Sequence, residues 1–148
     1  MTENETFYDK LKAHREATTQ ANSFNKRVVF DVLSQAGIDT VTVTFDGCGD
    51  SGQIEEIKAV TNRALVSFPD VRLALQTTSF GDEEFTMKEV SVREAIEELC
   101  YGYLEQEHDG WEIDDGAFGE FTLNVTERRV VLNFNSRFTD HFHSTQAF

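Results

Sequence analysis

The chain is short of proline, cysteine and positive charge, and each shortage excludes something. A single proline in 148 residues leaves no Pro-rich linker, and this length suits one domain, 1–148, able to bury a core without staples. The only two cysteines, Cys48 and Cys100, form no CxxC pair, which argues against a structural zinc site of that type. No apolar run approaches the roughly 18 residues of a membrane span. Met1-Thr2-Glu3-Asn4-Glu5 lacks the basic and apolar regions of a signal peptide, so the expected compartment is the cytoplasm, with reduced thiols. Against 27 acidic residues stand 13 Lys and Arg, a formal net charge of -14. A field of that sign repels phosphate backbones, which argues against direct nucleic-acid binding. It favours cations, basic protein surfaces or simple solubility.

What is present argues for a folded α+β domain. Hydrophobic residues make up 39% of the chain and include 13 Phe. Residues 1–37 read as a helical region. Phe7, Leu11, His14, Ala17 and Ala21 recur at helical spacing, and Phe24, Val28, Val32 and Ala36 continue the period up to Gly37. Asn22-Ser23 offers a break, which leaves one bent helix or two. Residues 40–148 read as a sheet plus a helix over 91–107. Thr40 to Phe45 alternates strictly, with Val41, Val43 and Phe45 on one face and threonines on the other. Gln53–Val60 fits a strand or a short helix, with strand preferred, and Val71–Thr77 fits a strand. Gly81–Lys88 reads as a loop or a short edge strand. Ser91-Val92-Arg93-Glu94 is a capping box ahead of Val92, Ala95, Ile96, Leu99, Cys100, Tyr103 and Leu104 at helical spacing. Phe121, Leu123 and Val125, then Val130, Leu132 and Phe134, predict a hairpin around Thr126-Glu127-Arg128, with an extended segment at the chain end. The expected architecture is a mainly antiparallel sheet of four to six strands, with two or three helices packed on one face.

The candidate site lies in two glycine-punctuated acidic loops, Asp46 to Gly52 and Asp109 to Gly116. Glycine permits tight turns, and loops held on a rigid scaffold carry binding residues. Asp46, Asp50, Trp111, Glu112, Asp114 and Asp115 are the candidate contacts for a basic partner, with Trp111 as aromatic anchor. The bland alternatives are that the aspartates bond their own turns and that the aromatics close the core. A divalent cation among Asp46, Asp50 and the second loop, or between His141 and His143, is the other reading. Counted as a calcium loop from Asp46, however, the sixth position is Ser51 and the twelfth is Ile57, where Gly and Glu are required. His141 and His143 share a strand face but lack a local third ligand. No cofactor is called for. Ser51 has no Gly-x-Ser-x-Gly elbow and no loop pairs glycines with a phosphate-binding lysine, so a non-enzymatic protein is expected.

Phe45-Asp46-Gly47-Cys48-Gly49-Asp50-Ser51-Gly52-Gln53-Ile54-Glu55, followed by Gly110-Trp111-Glu112-Ile113-Asp114-Asp115-Gly116-Ala117-Phe118-Gly119 and Asn135-Ser136-Arg137-Phe138, resembles the signature of a family of small uncharacterised bacterial proteins carried on plasmids, prophages and other mobile elements. The resemblance spans residues 41–148, with Cys48 at a variable position, and transfers no catalytic residue. It implies a mobile-element setting, where small acidic proteins include inhibitors of host defence. The function expected is therefore an acidic interaction protein that imitates nucleic acid and blocks a basic protein or nucleoprotein complex, in the manner of an anti-CRISPR protein. The alternatives are a metal-dependent binding module or enzyme on the same loops, and a virion or plasmid-maintenance component.

Overall fold

The computed structural model describes residues 3–48, 51–77, 86–108, 116–136 and 142–148. The fold class is α+β, with two helices and eight strands among the described residues. Contacts group the chain into two compact units, residues 1–29 with 70–107 and residues 30–69 with 108–148.

The N-terminal region is one continuous helix, α1 (Glu3–Gln35), so Asn22-Ser23 neither breaks nor caps it. Its end is a Schellman motif. Gly37, at φ 74°, donates to the Ser34 carbonyl, and Ile38 donates to the Leu33 carbonyl, each at 3.0 Å. Glycine is the residue that adopts this left-handed conformation without strain.

In the first unit, β4 (Arg72–Thr77) and β5 (Thr86–Ser91) form a two-stranded antiparallel sheet that leads into α2 (Val92–Glu107). The Glu94 amide donates to Ser91 Oγ at 3.2 Å, as the capping box requires. All seven apolar positions read from the sequence of α2 are buried. Beside β4, Asn25 of α1 takes the place of a further strand: its Nδ2 donates to the Gln76 carbonyl at 3.0 Å, and its Oδ1 accepts from the Gln76 amide at 2.8 Å.

The second unit holds a six-stranded antiparallel sheet in the order β3-β2-β1-β6-β7-β8. Its strands are β1 (Thr40–Cys48), β2 (Ser51–Thr61), β3 (Ala64–Val66), β6 (Ala117–Asn124), β7 (Arg129–Ser136) and β8 (Phe142–Ala147). Two strand-order triplets, β3-β2-β1 and β6-β7-β8, meet along the β1–β6 pair. One face is the core: Val41, Val43, Phe45, Phe121, Leu123, Val130, Leu132 and Phe134 are all buried. The other face carries Thr42, Thr44, Thr122, Asn133 and Asn135, all partly exposed, as the alternation implies.

Two local features depart from the sequence reading. The register slips between Thr44, opposite Glu56, and Phe45, opposite Ile54, so Glu55 forms a β-bulge. The bulge lets Ile54 and Ile57, three apart, face the same side as Phe45 and Val43. Short β3 pairs with β2 through Asn62 and Arg63, at φ 49° and 67°, the signature of a type I′ hairpin turn.

Candidate functional site: the acidic end of the six-stranded sheet

The first acidic loop is shorter than its sequence suggests. β1 runs on through Cys48 and β2 starts at Ser51, so Asp46 is a strand residue opposite Gln53 and the connection is Gly49-Asp50 alone. The β1–β6 register then sets Asp46 opposite Phe118 and Gly47 opposite Ala117. The strand that enters the first acidic loop therefore lies beside the strand that leaves the second. Buried Gly116, at φ 78°, turns the chain into β6. Ser136, where β7 ends, pairs with both Ala117 and Phe142, so the connection to β8 attaches at the same end.

Segments 46–50, 109–115 and 137–141, which carry these connections, hold seven carboxylates and one arginine. At the opposite end of the sheet, Arg63 and Arg128 sit in hairpin turns and Arg129 opens β7, with Arg128 paired to Asp31. The second unit's basic residues are thus mostly gathered away from the acidic end.

One row of residues crosses the open polar face at the acidic end. Gln53, Asp46, Phe118, Asn135 and His143 are successive partners on β2, β1, β6, β7 and β8. Residues directly opposite in antiparallel strands share a face. Asn135 Nδ2 donates to the Phe118 carbonyl at 3.4 Å. The row separates two of the candidate metal ligands: Asp46 and His143 stand three strands apart, roughly 14 Å at the usual strand spacing, too far to share one ion. Among the described residues no group of three His, Cys, Asp or Glu is placed to hold a metal. Asp50, Trp111, Glu112, Asp114, Asp115 and His141 lie outside the described residues.

Beneath the row, aromatic side chains tie the strands that bear the loops. Phe45, next to Asp46, packs against Phe121 at 5.6 Å and against Phe134 at 6.2 Å between centroids. Phe134 in turn stacks on His108, the residue before the second acidic segment. Gly119 makes room for this arrangement. A Cβ there would run into the Asn133 carbonyl and come within 2.8 Å of Phe45 Cζ. The stack and the Gln53-to-His143 row were not foreseen from sequence. The one available signal was a glycine interrupting the alternation of β6, which marks a close approach across a strand.

Residues 21–148 match the model of the Family of unknown function (DUF6878), and the chain belongs to that family. The matched region includes every strand described above. The comparisons found no matching curated protein and no matching solved structure. Among the described residues no helix is long and apolar enough to cross a membrane.

Proposed function

We propose that this protein works by occupancy rather than catalysis. The acidic end of its six-stranded sheet docks on a basic surface of a larger protein or nucleoprotein complex, of the kind that handles nucleic acid, and blocks it. The observation that carries this reading is the β1–β6 register, with Asp46 opposite Phe118 and Gly47 opposite Ala117. It brings the strand ends of two acidic segments together on adjacent central strands. Carboxylates in segments joined to one end of the sheet would offer a basic groove the same sign of charge that a phosphate backbone does, and electrostatic steering speeds such an encounter. The formal charge of -14 adds to the attraction at long range. Asp46, Asp50, Glu112, Asp114 and Asp115 carry the charge, and Trp111 is the aromatic anchor. The mobile-element resemblance makes an inhibitor of a host defence complex the specific form of this proposal.

The test is capture by the tagged full chain from a bacterial lysate at low and high salt, followed by the double variant Asp114→Ala/Asp115→Ala. The expected result is one stoichiometric basic partner that is lost at high salt and held less tightly by the variant. Capture indifferent to both salt and the variant would remove the acidic end from the interaction.

A further inference from the structure

A second site stands in the other unit. Among the described residues the buried polar side chains are Thr18, Asn22 and Asn25, all on α1, and all three line a single cavity of about 160 Å³. Their spacing of four and three residues puts them on the helix face that an amphipathic helix fills with apolar side chains. Departures of this kind from an otherwise consistent pattern concentrate at functional sites.

Two of the three have structural partners. Asn25 holds the Gln76 backbone, and Asn22 Nδ2 donates to Gln106 Oε1 at 3.0 Å. No partner among the described residues bonds the Thr18 hydroxyl. Helix α2 yields space at the same place. Gly102 lines the cavity, and a Cβ on it would collide with Asn22 Oδ1. A mid-helix glycine is less favourable than alanine, and here it admits a polar side chain in place of a methyl group. The volume is about ten times what one water needs.

The charged groups of the lining are Lys88, Glu98 and Glu105. Lys88 Nζ is bonded to Glu98 Oε1 at 3.1 Å, which leaves Glu105 as the excess negative charge. The imidazole facing Glu105, His14 Nε2 at 3.6 Å, balances it only when protonated. Ala21 and Leu75 supply apolar wall, and Tyr101 supplies an aromatic one.

We propose that this cavity binds a small primary alkylammonium ion. Three N–H donors suit a carboxylate and a hydroxyl together, a short alkyl chain suits Ala21 and Leu75, and an aromatic wall attracts a cation. A single positive charge balances the lining without breaking the Lys88–Glu98 pair. The strongly acidic chain raises the local concentration of cations. This inference is independent of the docking role of the sheet.

The test is a two-dimensional NMR titration of the full chain with n-butylammonium, with n-butanol and butyrate as neutral and anionic isosteres. Saturable shifts at the Thr18, Gln76 and Gly102 amides are expected with the amine, and binding about tenfold weaker or worse with either isostere. Glu105 is exposed, so Glu105→Gln keeps the fold, and its spectrum reports this directly. That variant and Thr18→Val should each weaken the amine by about tenfold, the loss of one hydrogen bond to a charged group. Absence of saturable shifts, equal binding of butanol, or indifference of both variants would overturn the proposal.

Discussion

The His108 and Phe134 rings lie parallel within 1°, with centroids 3.6 Å apart. His108 Nε2 is also 3.0 Å from Gln146 Oε1 of β8. One side chain thus fastens the start of the second acidic segment to two strands of the sheet. His108→Ala should cost about 1–2 kcal/mol, the sum of a ring stack and a hydrogen bond. His108→Phe should recover the stacking share alone. Urea unfolding measures both, and a His108→Ala protein as stable as the parent would remove the anchor.

Asn25 closes the outer edge of β4 as a neighbouring strand would, with a donor and an acceptor to one residue, Gln76. Asn25→Ala leaves both backbone groups without that partner at a largely buried place. A loss of about 2–4 kcal/mol is expected, because each stranded group carries its own desolvation penalty. Thermal unfolding would show a lowered midpoint, and an unchanged midpoint would mean water replaces the amide fully.

Gly102 and Asn22 should be coupled. Gly102→Ala improves helix propensity yet drives a methyl into Asn22 Oδ1, so a net loss of about 1–3 kcal/mol is expected. With Asn22→Ala in the same chain the collision disappears, and the double variant should lose less than the sum of the two singles. Strict additivity in chemical denaturation would refute the contact.

Stability should fall at alkaline pH. Burial first, and the charge of Glu97 second, push the Cys100 thiol above its ordinary value of 9.0. Burial first, and Cys100 second, push Tyr103 above its ordinary value of 10.0. Both groups are held neutral in the fold and ionise more readily in the unfolded chain. Their contribution is therefore complete below about pH 9 and declines as pH rises past 9 and then 10, by up to about 1.4 kcal/mol per pH unit for each group. Urea midpoints between pH 7 and 10.5 test this, and Cys100→Ala should remove the earlier part of the decline.

Elements with an unbroken period were legible in the sequence. Val41, Val43 and Phe45 announced β1, and Ser91 with Glu94 announced the start of α2. Gly37 marked where α1 stops. Gln53–Val60 was ambiguous for a physical reason: Ile54 and Ile57 stand at a helical spacing, and only the bulge at Glu55 reconciles that with a strand. β3 escaped notice because a three-residue edge strand has no period to show, and its turn uses Asn62-Arg63 rather than a glycine. The acidic segments were visible as composition. Their shared end of the sheet was not, because it depends on the pairing of β1 with β6, residues far apart in the chain. The polar cavity gave no signal, because Thr18, Asn22 and Asn25 hold buried positions of α1 at helical spacing without the apolar side chains that announce such a face.

The seam between the two strand triplets also shapes how the sheet must assemble. Within each triplet, neighbouring strands follow one another along the chain and can zip as local hairpins. The β1–β6 seam instead joins Gly47 to Ala117, about 70 residues apart. Relative to a two-residue turn that is roughly five doublings of loop length, about 3 kcal/mol of additional closure entropy. Topologies dominated by such non-local pairing fold slowly. The acidic end is built at this same seam, so the charged edge exists only where two locally formed ribbons have paired across a long stretch of chain.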